Sequence, residues 1–251
     1  MNNSIYQDNN YNNSIYQEAK GILDDSFGNG SGYVYISGDN YGQSLAVQSN
    51  GKILLGGYCY NNSSGNRNFC IARFNSNGTL DATFGSLGNS GKVIQSIGSF
   101  YDAGQSLAIQ PDGKILFGGE CIDGIINSDF CIARFNSNGT LDTSFGTGGK
   151  VIQPIGSFYD AGQSFAIQPD GKILLGGSCQ GVSNFDFCIA RFNSDGTLDT
   201  SFGSPNGFII QPIGLFNDVG HSLAIQPDGK ILFGGNCRSG SNEDFCIARF
   251  K

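Results

Sequence analysis

A unit of about 58 residues is written out four times along this 251-residue chain, and that repetition constrains the fold more than any other feature. Gly-Gly-x-Cys elements fall at Gly56–Cys59, Gly118–Cys121, Gly176–Cys179 and Gly234–Cys237. Phe-Cys-Ile-Ala-Arg-Phe elements begin at Phe69, Phe130, Phe187 and Phe245. A period of this size means a stack or ring of supersecondary units, none of which buries its faces alone. Glycine is abundant (39 residues), Trp is absent and Met occurs once, which suits short strands and turns. No window carries apolar residues at sustained helical spacing, so the expected class is all-β.

Within each unit the composition predicts four strands in a meander. β-Branched or aromatic runs at Tyr33–Ser37, Lys92–Ile97, Lys150–Ile155 and Phe208–Ile213 come first, then Ser44–Gln48, Ser106–Gln110, Ser164–Gln168 and Ser222–Gln226. A Pro-Asp-Gly turn (Ser-Asn-Gly in the first copy) leads into Lys-Ile-Leu-(Leu/Phe)-Gly-Gly, because Pro presets φ and Gly accepts φ > 0. The fourth strand is Phe-Cys-Ile-Ala-Arg-Phe, apolar on both faces, so each sheet is expected to be covered on both sides. Radial repetition of four-stranded sheets does this, and a small β-propeller of four blades is the predicted architecture. The first run, Tyr33–Ser37, lacks a fourth strand before it, and the last fourth strand, at Asp244–Phe250, has no run after it. The expectation is a ring closed by pairing the two. Residues 21–251 would form this domain, and residues 1–20, polar with Asn-Asn-Ser-Ile-Tyr-Gln duplicated at Asn2–Gln7 and Asn12–Gln17, a flexible tail or a docking arm.

The consensus (A/G)-x-(S/A)-(L/F)-A-I-Q-P-D-G-K-I-L-(V/L/F)-G-G … D-F-x-I-A-R-F-N-x-(D/N)-G-(T/S)-L-D-x-(S/T)-F-G resembles the bacterial delta-60 repeat over roughly Leu23 to Lys251. The resemblance implies a propeller-like fold and no activity. The chain departs from that pattern at its cysteines, whose chemistry is therefore not inherited.

Three sets of residues repeat with the unit. The pairs Cys59/Cys70, Cys121/Cys131, Cys179/Cys188 and Cys237/Cys246 flank the variable hairpin loop and are expected to face one another across the ladder. Disulfides, facing thiols and a metal site stay open as readings, although this spacing without a His pair is not that of a zinc site. Arg73, Arg134, Arg191 and Arg249 sit on apolar strands and need partners; Asp81, Asp142, Asp199 and, through ring closure, Asp24 are the expected ones. Asn40, Asp102, Asp160 and Asp218, with Gln43, Gln105, Gln163 and His221, precede or open the innermost strands. They would surround a channel mouth, either as turn caps and lining groups or as oxygen ligands for a divalent cation such as Ca²⁺ or Mg²⁺; no other cofactor is implied. The Asn-Ser-(Asn/Asp)-Gly-Thr-Leu-Asp segments read as turns.

A net charge of −7 argues against nucleic acid, and no apolar run reaches the roughly 18 residues of a membrane span. The N-terminus has no basic start or apolar stretch, which favours an intracellular or particle-associated setting unless export follows a non-classical route. His221 is the only histidine, and no catalytic triad spacing is present, which leans away from an enzyme. The expected function is a non-catalytic interaction or structural module, with a protein partner or self-assembly, acting through the loops Tyr60–Phe69, Ile122–Phe130, Gln180–Phe187 and Arg238–Phe245. The alternatives are a glycan-binding propeller with equivalent sites in each blade and a hydrolase or lyase at the channel mouth.

Overall fold

The computed structural model describes residues 21–38, 40–60, 65–85, 91–122, 127–181 and 183–251. The expectation for residues 1–20 therefore lies outside the described residues, as do the tips of three hairpin loops. All regular structure among the described residues is β.

Blade 1 runs β1 (Asn40–Val47), β2 (Ile53–Tyr60), β3 (Arg67–Phe74) and β4 (Lys92–Gln95). Blade 2 runs β5 (Asp102–Ile109), β6 (Ile115–Ile122), β7 (Ser128–Phe135) and β8 (Lys150–Gln153). Blade 3 repeats this as β9 (Asp160–Ile167), β10 (Ile173–Gln180), β11 (Phe185–Phe192) and β12 (Phe208–Gln211). Blade 4 holds β13 (Val219–Ile225), β14 (Ile231–Arg238) and β15 (Glu243–Phe250). Every sheet is an antiparallel meander in chain order. The turn glycines Gly113, Gly171 and Gly229 take φ of +83°, +84° and +83°, which explains why a residue without Cβ follows Pro-Asp at each of these hairpins.

The core is a set of apolar layers between neighbouring sheets. Leu54, Phe69 and Ile71 of blade 1 pack on Leu107, Ile115 and Phe117 of blade 2. Leu116, Phe130 and Ile132 meet Ile173 and Leu175, and Leu174, Phe187 and Ile189 meet Leu223, Ile231 and Phe233. Gly56, Gly118 and Gly176 let the sheets approach: a Cβ at Gly118 would lie 2.5 Å from Phe165, and those at Gly56 and Gly176 within 3 Å of Leu107 and Leu223.

Among the described residues the ring does not close on itself. The fourth sheet has three strands, and residues 33–37 form no strand. Instead, Leu23–Gly28 packs on blade 1: Gly28 N–H donates to Asn77 O at 2.9 Å, as Gly85 does to Asn138 and Gly146 to Asp195 between later blades. The N-terminal motif thus sits where a blade preceding blade 1 would put it. The inter-blade step is alike throughout, and its repetition does not bring β15 back to that motif. Phe245 and Ile247 on β15 are left 97% and 75% exposed. The molecule is an arc with a head at blade 1 and a tail at blade 4.

All four cysteine pairs form disulfides within their hairpins. The register differs from direct opposition: Cys59 pairs with Asn68 and Cys70 with Gly57, so each bond runs diagonally, with Cα atoms 5.6–5.8 Å apart.

Candidate functional site

Blades 1 and 2 break the repeat symmetry on the hairpin-loop face. Tyr41 on β1 and Tyr58 on β2 are directly opposite in the ladder and stack with ring centroids 4.8 Å apart. Tyr60 lies two residues on, along the same side of β2, and its ring meets those of Tyr41 and Tyr58 edge-on at 6.0 and 6.3 Å. Arg67, opposite Tyr60 in the ladder, lies 4.8 Å from the Tyr58 ring centroid and 5.2 Å from those of Tyr60 and Tyr101. Its Nε donates to the Tyr60 hydroxyl at 3.0 Å. Burial disfavours the guanidinium charge, but the Tyr60 bond and the surrounding rings outweigh it and raise the Arg67 pKa.

Arg67 also pairs by a parallel bridge with Tyr101, and Ser128 with Tyr159, so the connection entering each inner strand lies beside the preceding blade's hairpin. Tyr101 and Tyr159 are anchored there by their carbonyls, which accept from Ile122 and Gln180 N–H at 2.8 Å. A cavity of about 220 Å³ opens between them, lined by Arg67, Tyr101, Glu120, Ser128 and Tyr159. Burial pushes the Glu120 carboxyl pKa up, and the charge of Arg67 opposes that shift only in part. The site therefore presents a charged guanidinium, phenol hydroxyls and apolar rings on rigid strands, with one hydrogen-bonding carboxyl group.

The aromatic residues of this site were not singled out by strand patterning, because Tyr suits any strand. The usable signal is column divergence among the repeats: Tyr58 corresponds to Glu120, Ser178 and Asn236, and Arg67 to Ser128, Phe185 and Glu243.

For the residues expected at a channel mouth, the geometry fits the turn-cap reading rather than that of free oxygen ligands. Asp102, Asp160 and Asp218 are buried and turn their carboxylates inward, accepting from the backbone N–H groups of Ile97 and Gly98, Ile155 and Gly156, and Ile213 and Gly214. Asn40 donates to the carbonyls of Ile36 and Ser37. This is turn capping, with the Asp oxygens occupied by the chain's own donors. Gln43, Gln105, Gln163 and His221 are skipped by the pairing of the innermost strands, each sitting in a β-bulge. Among the described residues no group of three or more His, Cys, Asp or Glu side chains is arranged to hold a metal.

The brace forms in three of its four expected places. Arg73, Arg134 and Arg191 donate from Nε to Asp81, Asp142 and Asp199 at 2.7, 2.8 and 2.8 Å. Lys52, Lys114 and Lys172 join the same carboxylates, a contribution not anticipated from the spacing. Arg249 and Asp24 do not meet, because they stand at opposite ends of the arc; Asp24 instead accepts from Ser26 N–H and Oγ.

Four stretches, residues 48–84, 110–145, 168–202 and 226–251, match the model described as "Domain of unknown function (DUF5122) beta-propeller", and together they exceed half of the chain. No curated protein matches the sequence. Among solved structures, the α-L-arabinofuranosidase of Fusarium graminearum superposes with a TM-score of 0.53 at 11% identity, over 84% of this chain and 62% of that one. Virginiamycin B lyase from Staphylococcus aureus gives a TM-score of 0.47 at 14% identity, over 86% and 57%. The chain thus spans about three fifths of the length of these proteins, and the likeness is one of fold.

Proposed function

Taking as its premise that this chain belongs to the DUF5122 β-propeller family, defined by fold and repeat, we propose that it is a non-catalytic binding module whose recognition surface is the Tyr/Arg cluster on the loop face of blades 1 and 2. The observation that carries this reading is Arg67 held among Tyr58, Tyr60 and Tyr101. Tyr and Arg side chains on rigid strands offer large contact area at low entropic cost, and they dominate protein–protein hot spots. Exposed Tyr41, Tyr101 and Tyr159, at 44–49% exposure, extend the surface around it. Support for a non-catalytic role comes from the potential reactive groups: the eight cysteines are bonded to each other, and Asp102, Asp160 and Asp218 serve as turn caps.

The partner expected from this chemistry is a protein segment with acidic and apolar groups, the first for Arg67 and the second for the rings. Affinity capture from a cell extract should retain specific proteins on the wild type that are lost with Tyr58→Ala or Arg67→Glu. Identical capture by wild type and both variants would remove the reading. One observation favours glycan as a second reading: Phe100-Tyr101 and Phe158-Tyr159 present the same exposed aromatic pair in successive blades. A glycan array distinguishes the two, since sugar binding would depend on Tyr159 as much as on Arg67.

A further inference from the structure

We propose that the arc is completed by a second copy of this chain joined head to tail, each copy's N-terminal segment supplying the outer strand of the other's fourth blade. The two ends are matching halves of the interface that the chain already makes internally.

The strand is the first match. Within blade 1, the outer strand is added by pairing Val93 with Ile71 and Lys92 with Ala72, just after Gly91 at φ +89°. At the head, Gly32 has φ +74° and is followed by Tyr33 and Val34, in equivalent positions. Tyr33 and Tyr35 are 57% and 83% exposed, and their ladder partner would be β15, whose outer edge pairs with no strand among the described residues. An open apolar edge of this kind is a template for pairing.

Charge is the second match. Each internal carboxylate takes both a Lys and an Arg, as Asp142 takes Lys114 and Arg134. At the tail, Lys230 turns back to Asp228, and among the described residues Arg249 reaches no carboxylate within ion-pair distance, acting on Asp228 only through its charge. At the head, Asp24 has no cation among the described residues and is capped by Ser26 alone. Phe27 waits as well: it packs on Gly78 as Phe84 packs on Gly139, yet Arg73 covers Phe84 at 4.5 Å and, among the described residues, no Arg covers Phe27.

The inner strands supply a third. Ser44, Ser106 and Ser164 hydroxyls accept from Leu107, Phe165 and Leu223 N–H across successive blades at 3.0–3.2 Å. Ser222 is the next acceptor in this series and Leu45, 68% exposed, the donor without a predecessor. A groove of about 600 Å³ beside blade 1, lined by residues including Tyr33, Val34, Leu45 and Leu55, is where the tail sheet would pack. Gly234 closes the set: its equivalents are covered by the next blade, whereas a Cβ here meets only Cys246 and Ile247 of its own sheet, at 3.6 and 3.8 Å. Among the described residues head and tail do not pair within one chain, and because the two ends are complementary to each other another copy of the chain fits both. Two copies give about eight blades, within the range of closed propellers, and a heterologous interface that closes in this way forms a ring.

Light scattering on the full chain should give twice the 26.6 kDa chain mass. Gly234→Phe, at a position where a Cβ makes only ordinary contacts in the single chain, should keep the wild-type circular dichroism and weaken the dimer by about 100-fold, yielding monomer. Benzoylphenylalanine in place of Phe245 should, on photolysis, give a band at twice the chain mass, with the cross-link mapped to residues 33–36 of the other copy. A monomeric wild type overturns the proposal. So does a cross-link to residues 33–36 confined to one chain, which would mean self-closure, and so does a dimer that survives Gly234→Phe or cross-links elsewhere.

Discussion

Arg134 shows what the brace does at the scale of one residue. It is buried, its Nε holds Asp142, another nitrogen donates to the Ser194 carbonyl of the next blade, and its guanidinium lies 4.5 Å from the Phe145 ring centroid. Removing it leaves Asp142 with the partly exposed Lys114 as its one remaining cation, beside the Ser144 hydrogen bonds. Arg134→Ala should therefore lower unfolding free energy by about 3–5 kcal/mol, and Lys114→Ala by about 0–1 kcal/mol, measured by urea titration. The carboxylates also set the acid response. At Asp142 burial opposes ionisation, but Ser144, Lys114 and Arg134 outweigh it and hold the carboxyl well below the usual range; Asp81 behaves alike, and at Asp199 the Lys172 bond is the largest cause. A depressed folded pKa adds stability that is fully present above the unfolded value near pH 4 and is lost as pH falls below it. Asp102 and Asp160 act with the opposite sign. Burial raises their folded pKa against the backbone hydrogen bonds, so stability falls as pH rises from about 4 through their raised values and returns on acidification. The deficit of Asp142→Asn relative to wild type should accordingly narrow as pH is taken from 4 towards 2. A deficit independent of pH would mean that the carboxylate charge is not what Arg134 and Lys114 hold.

At the scale of elements, the inter-blade contact depends on a glycine in the second strand of each sheet. Gly118→Ala drives a methyl against Phe165 and should cost about 1–3 kcal/mol, whereas Gly234→Ala, in dilute protein where single chains prevail, should change stability by less than about 0.5 kcal/mol. Thermal unfolding of the two variants checks this, and equal losses would show that the Gly118 contact does not limit how closely the sheets pack. Much of the element order could be read beforehand. Pro-Asp-Gly announces its hairpin through one fixed and one permissive φ, and the two-sided apolar character of Phe-Cys-Ile-Ala-Arg-Phe announces a sheet covered on both faces. The bulges at Gln43, Gln105, Gln163 and His221 could not, since Gly-Gln-Ser and Gly-His-Ser have the composition of plain strand. Nor could the diagonal cysteine register, because a hairpin loop of varying length does not report which residues of its two strands are opposed. Tyr33–Ile36 has the right residues for a strand and still pairs with no strand among the described residues. Whether it reaches β15 depends on the rotation accumulated over the arc, which no residue type reports.

Over the whole molecule, burial falls from the middle of the arc to its ends, and the disulfides lie along that gradient. Cys121–Cys131 and Cys179–Cys188 have no solvent exposure, whereas Cys246 is partly exposed on the open tail. Mild thiol treatment of native protein, followed by alkylation and mass mapping, should open Cys237–Cys246 first and the two central bonds only on unfolding. Simultaneous loss of all four would indicate global opening. Each bond closes a loop of about ten residues, worth about 2.5–3 kcal/mol in the chain-entropy model, so full reduction should lower the unfolding temperature markedly. The serine hand-over from blade to blade has a consequence at the level of the gene. Because Ser44, Ser106 and Ser164 each present the same acceptor to the blade that follows, a chain cut at equivalent points one period apart can be rejoined with both new neighbours already matched. Recombination between near-identical coding units can therefore lengthen or shorten the arc by whole blades without inventing a contact, which makes blade number the property of this protein most open to change by descent.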